Sequence, residues 1–238
     1  MKKDVKNKND KIENETVKTL HLKIDNNAKM NNVSPLRYPG GKTRACKYIE
    51  QVLIDHFDVD DIKTIISPFF GGGSFEFYLQ NKYNMFILAN DKFTPLATFW
   101  KCCKKNKEIL CSKLDKIDYV TKEIFSDFRD RIMTENNVIK QSVYYFVINR
   151  CSFSGATLSG GFSRESSEKR FTKSSIKRIE ILNLDDFKIS NCDFTKYINK
   201  CENIGDDNYY YVFRSTLLFG KKIKTIWKLW RFTRNIRS

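Results

Sequence analysis

The run Ile65-Ile66-Ser67-Pro68-Phe69-Phe70-Gly71-Gly72-Gly73-Ser74 decides how this chain folds. With Thr64 before them, the two isoleucines read as a strand buried on both faces, the pattern of a parallel sheet covered by helices. Proline stops the strand, and three glycines make a turn that a ligand can approach along bare backbone. Phe75 to Leu79 then begin a helix whose first N–H groups lack partners. Downstream, Met85-Phe86-Ile87-Leu88-Ala89 is a second apolar strand closed by Asn90-Asp91, and Thr94-Pro95 opens a further helix with proline in its first turn. Upstream, Ala45, Tyr48, Ile49, Val52, Leu53 and Phe57 recur at three- and four-residue spacing, which predicts a helix buried along that face.

Alternating apolar strands and helices predict an α/β fold on an open parallel sheet. Residues 101–185 break the rhythm with helical stretches at Phe125 to Met133 and Val138 to Ile148. Asn149 to Phe162, rich in glycine, serine and threonine, reads as a hairpin or loop, and strands return at Phe187–Ser190 and Tyr209–Phe213. The expected layout is a mobile polar leader over 1–32, a sheet core over 33–100 and 186–213, an insertion over 101–185 and a basic tail over 214–238. The leader is read as a solvated tail, or as a basic arm that brushes a polyanion; it has five acids among its lysines and no Phe, Tyr or Trp.

A formal charge of +15 points toward a polyanionic partner, because clustered Lys and Arg gain free energy by releasing counterions from phosphates. Eight of those charges lie in Arg214 to Ser238, which holds no acid. Seven cysteines without a Cys-x-x-Cys pair fit a reducing compartment, and with only His21 and His56 no metal site of the usual spacing is expected. No apolar run is long enough for a membrane span or a signal peptide, so a soluble, intracellular protein (cytoplasm, nucleoid or nucleus) is expected.

Asp91 follows Gly71 at the end of the next strand, the place and spacing of a carboxylate that grips two ribose hydroxyls. The dinucleotide fingerprint needs a third glycine where this chain has Glu76, which argues against NAD and for S-adenosyl-L-methionine. A plain glycine loop with an unrelated Asp is the alternative. Pro35-Leu36-Arg37-Tyr38-Pro39-Gly40-Gly41-Lys42-Thr43 is not a Walker loop, having Leu at position 36 and no strand before it. It is either a turn placing Tyr38 and Lys42 beside a cofactor or simply the turn before a helix. Asp193, after the strand ending at Ser190, could accept from an adenine amino group, but on its own reads better as the cap of a helix from Phe194.

Taken in order, Leu36 to Lys42, Pro68 to Ser74, Asn90-Asp91, Asn149-Arg150 and Cys192-Asp193-Phe194 resemble the landmarks of the Dam-like DNA adenine methyltransferase family over about residues 34–213. The resemblance implies a Rossmann-like fold that binds S-adenosyl-L-methionine, with a helical and hairpin target-recognition insertion. Tyr38 and Lys42 would touch the cofactor, Phe70, Gly71 and Gly73 would frame its methionine part, Asp91 would hold the ribose and Asp193 the adenine. Asn149, Arg150, Ser154 and Arg164 would lie near bases of double-stranded DNA. A restriction endonuclease partner is compatible with this lineage. Ser67 stands where the family often has an acid before Pro-Phe.

After Tyr209-Tyr210-Tyr211-Val212 the family has Asp-Pro-Pro-Tyr. Adenine's amine is a poor nucleophile, so an acid and a backbone carbonyl accept its hydrogens while the Tyr ring stacks on the flipped base. This chain has Phe213-Arg214-Ser215-Thr216-Leu217, no catalytic residue can be assigned, and methyl transfer is expected to be negligible. If Arg214 to Leu217 are encoded AGA, TCC, ACC and TTA, a one-base shift reads Asp-Pro-Pro-Tyr. Thr225 to Trp230 likewise admit Leu-Tyr-Gly-Asn-Cys-Gly, again like the family's downstream sequence. The expectation is a frameshift near codon 213, with the C-terminal strands missing and a bare sheet edge beside the last strand. A diverged tail that binds DNA through its Lys, Arg and Trp227/Trp230 is the alternative reading.

Overall fold

The computed structural model describes residues 31–38, 43–56, 58–201, 209–213 and 216–219. In chain order these form α1 (Cys46–His56), β1 (Thr64–Ser67), α2 (Ser74–Tyr83), β2 (Phe86–Asn90), α3 (Thr94–Lys105), α4 (Lys107–Asp115), α5 (Lys122–Arg131) and α6 (Val138–Cys151). Then follow α7 (Arg164–Arg170), α8 (Lys173–Glu180), β3 (Phe187–Ser190), α9 (Phe194–Cys201), β4 (Tyr209–Phe213) and β5 (Thr216–Phe219). The sheet runs β3-β2-β1-β4-β5, with its first four strands parallel and β5 antiparallel to β4. This is the Rossmann-like α/β sheet that the alternation of strands and helices predicts.

Successive strand residues feed opposite faces, as the two-residue period of a strand requires. Ile65, Ile87 and Ala89 enter the larger core, while Ile66, Phe86 and Leu88 pack against Tyr197, Ile198 and Cys201 of α9. The segment 101–185 does not form a core of its own: Leu110, Phe125, Phe146, Ile148, Ile179 and Leu184 share one apolar cluster with the sheet. Its centre is α6, buried at every residue from Gln141 through Cys151. The Phe99 and Phe146 rings stack at 5.8 Å between α3 and α6.

The structure departs from the expected layout at several points. In α1, Tyr48 and Val52 are exposed, and the inward face is Cys46, Glu50 and Leu53. Glu50 can be buried because Tyr78, Tyr83 and Lys82 all donate to its carboxylate. Asn32, placed at the end of the leader, is buried: its side chain donates to Gln80 and to the Asn183 carbonyl and accepts the Asn183 N–H. Asn149 and Arg150 belong to the last turn of α6 rather than to a loop, and the hairpin beyond them is two short 3-10 turns closed by one bridge, Ser152 to Phe162. The edge of β4 is not bare, because β5 pairs with it in the register Val212 to Leu217. Residues 1–30, 214–215 and 220–238 lie outside the described residues, and with them most of the leader and tail. Among the described residues no helix is long and apolar enough to cross a membrane.

Candidate active site

Because β1 and β2 are adjacent and parallel, their carboxyl ends lie side by side, and the loops leaving them meet. The Gly71 N–H donates to Asp91 Oδ2 at 3.0 Å and the Phe93 N–H to Asp91 Oδ1 at 2.9 Å. Phe70 N–H donates to the Asn90 carbonyl, and Trp100 Nε1 donates to the Gly71 carbonyl at 3.0 Å. Gly71 and Gly73 adopt left-handed φ of 55° and 66°. A Cβ on Gly73 would lie 2.3 Å from the Phe70 ring, and one on Gly71 would lie 2.9 Å from the ring of Tyr38. The turn is a bare-backbone cradle with Phe70 beneath it and Tyr38 across it.

Burial pushes the Asp91 carboxyl above its ordinary value, against the opposing pull of the Phe93 and Gly71 N–H groups. Those two donors use two of about four acceptor positions of a carboxylate, leaving room for a vicinal diol. A nucleoside cofactor therefore fits the residues present.

Asn90, fully buried, is the clamp that sequence reading missed. Its Nδ2 donates to the Pro68 and Cys192 carbonyls, each at 3.1 Å, and its Oδ1 accepts the Cys192 N–H, so one side chain gathers the ends of β1, β2 and β3. The rings of Phe69 and Phe194 stand 5.2 Å apart beside it. Asp193 caps α9: its carboxylate accepts the Thr195 N–H at 3.0 Å, which holds it below the usual aspartate range, and Lys92 lies 3.6 Å away. On the other flank of the turn, the hydroxyl of buried Ser67 donates to Glu76 Oε1 at 2.6 Å.

A second constellation holds the segment that carries Tyr38. Asn149 accepts the Arg37 N–H at 2.9 Å and donates to the Arg37 carbonyl at 2.6 Å, and is wholly buried. Arg37 in turn donates to the Ser152 carbonyl and to Ser166 Oγ. Arg150 donates to the carbonyls of Arg170 and Pro35; burial and then Arg178, Arg37 and Arg170 lower its pKa to about 10. Neither Asn149 nor Arg150 faces solvent. Exposed instead are Phe153, Ser154, with a left-handed φ of 51°, and Arg164, which pairs with Glu168 at 3.0 Å. Gly155 presses on Arg37, where a Cβ would lie 2.6 Å from the Arg37 Cβ, so this turn sits beside Tyr38's segment. Lys42 lies outside the described residues.

A parallel sheet with this strand order, a glycine turn after β1 and an acid after β2 defines a Rossmann-like methyltransferase core. The profile of the D12 class N6 adenine-specific DNA methyltransferases matches residues 38–211, so the chain belongs to that family. It is also similar to the Type II methyltransferase M.MjaIII of Methanocaldococcus jannaschii, 26% identical over 132 residues, which cover 50% of this chain and 46% of that protein. The chain thus spans about half the length of the curated relative it matches.

Proposed function

We propose that this chain binds S-adenosyl-L-methionine across the ends of β1 and β2 and descends from a site-specific enzyme that methylates the N(6) amine of adenine in double-stranded DNA. The observation that carries this reading is the bond from Gly71 to Asp91, which couples a bare glycine turn to a carboxylate with acceptor positions to spare. In it Asp91 takes the ribose hydroxyls, Phe70, Gly71 and Gly73 frame the methionine part, and Tyr38 and Lys42 touch the cofactor. Asp193 accepts the cofactor's adenine amine beside the Phe69 and Phe194 rings. When bound, the cofactor supplies an activated methyl group on sulfur.

DNA is met by the exposed turn, through Phe153, Ser154 and Arg164, while Asn149 and Arg150 act from within by fixing that turn and Arg37. The partners proposed are double-stranded DNA and a restriction endonuclease. Transfer itself needs an acid and a stacking ring at the end of β4, and Arg214-Ser215-Thr216-Leu217 offers neither. In this reading a one-base frameshift made the tail, and the chain is a cofactor- or DNA-binding remnant with negligible activity. Incubation with labelled cofactor and DNA tests it: cofactor retention without methyl incorporation is expected, and incorporation into DNA would refute the loss of activity. RNA in the same assay checks the other acceptor. Gene sequencing across codons 213–218 tests the frameshift, which codons incompatible with the shifted reading would exclude.

A further inference from the structure

Glu76 is a carboxylate buried to 5% exposure in the first turn of α2, directly beyond the glycine turn. A buried ionised acid is costly unless donors or a cation meet it. The start of a helix relieves part of that cost through its exposed N–H groups and dipole. Ser67, itself wholly buried, supplies a hydroxyl at 2.6 Å and draws the carboxylate to the carboxyl end of β1. Ser67 is in register with Ala89 on β2, two residues before Asp91. Two acids thus flank the glycine turn: Asp91 on the β2 side, bonded to the Gly71 N–H, and Glu76 on the side of β1 and α2.

We propose that Glu76, positioned by Ser67, holds the cationic amino end of the cofactor's methionine part. The inference rests on the cofactor reading above and adds a residue that this reading leaves without a task. S-adenosylmethionine carries a diol at its nucleoside end and an ammonium at its amino-acid end. The turn offers one acid for each, and Ser67 carries no charge to do that work alone. The alternative use of Glu76 is purely internal, joining α2 to β1.

Calorimetric titration of the full purified chain with S-adenosylhomocysteine and with 5′-methylthioadenosine, which has the nucleoside but no amino-acid part, separates these. Glu76→Gln is expected to weaken S-adenosylhomocysteine binding about tenfold, the scale of one charge-assisted hydrogen bond, and to leave 5′-methylthioadenosine within about twofold. Ser67→Ala should lose part of the same selectivity. An equal effect on both ligands, or none on either, overturns the proposal while the cofactor reading stands. If the unaltered chain binds neither ligand, the cofactor reading fails and the proposal with it. Should Glu76→Gln not fold, Glu76→Asp replaces it. Loss of the preference for S-adenosylhomocysteine in a variant that melts like the parent supports the ammonium contact, and an unchanged preference refutes it.

Discussion

The Asp91 carboxylate receives the Gly71 N–H at 3.0 Å across 20 residues of chain, and that bond ties the glycine turn after β1 to the end of β2. It also holds a charge where burial resists it. Asp91→Asn leaves one oxygen for the two backbone donors Gly71 and Phe93 and loses the charge, so cofactor affinity should fall by about tenfold or more and stability by about 1 kcal/mol or more. Titration of both forms with labelled cofactor checks this.

In the proposed cofactor site the ionised form of Asp91 takes the ribose diol, and its pKa is raised above the ordinary 3.8. Affinity should therefore be full at neutral pH and decline on acidification, with a midpoint above 3.8, and the decline should be absent in Asp91→Asn. For folding the sign is opposite: a raised carboxyl pKa means that ionised Asp91 costs stability, and the cost disappears as pH falls through the folded-state value. Binding and melting curves across the same pH range should diverge in this way.

Gly73→Ala places a methyl 2.3 Å from the Phe70 ring at a left-handed φ of 66°. A loss of about 1–3 kcal/mol is expected from the backbone conformation and the clash. A denaturant melt measures it; a neutral result would contradict the geometry of the turn.

The turn proposed to meet DNA and its internal support should separate experimentally. Phe153→Ala and Arg164→Ala alter exposed side chains and should weaken DNA binding with melting temperature unchanged. Asn149→Ala leaves the Arg37 backbone N–H and carbonyl without their partner, and should lower stability by about 1–3 kcal/mol as well as DNA affinity. Melting and filter binding on the three variants distinguish the two roles.

Glu50→Ala removes the acceptor shared by Tyr78, Tyr83 and Lys82 and should destabilise the contact of α1 with α2 by about 2 kcal/mol or more. Hydrogen exchange in α1 should rise first.

What could be read from sequence is what neighbours in sequence decide. β1, the glycine turn and the start of α2 are contiguous, and β2 with Asp91 follows within one helix, so their order and chemistry appear in the residues themselves. Asp193 caps α9 through the N–H of Thr195 two residues on, a local bond that its position before Phe194 announces. The misplaced features depend on distant partners. Glu50 displaces Tyr48 and Val52 from the inward face because its donors lie on α2, 28 to 33 residues away. Asn149 and Arg150 turn inward because Arg37 and Pro35, more than a hundred residues earlier, present backbone groups to them. Asn32 is drawn in by Asn183, 151 residues later. A polar residue near a glycine-rich loop suggests exposure until such a partner is known.

Equilibrium binding of S-adenosyl-L-methionine to the purified chain, compared with Asp91→Asn, tests the central claim most directly. Saturable binding that weakens about tenfold or more in the variant is the predicted result. No affinity in the parent chain, or equal affinity in both, would contradict a cofactor cleft built on Gly71 and Asp91.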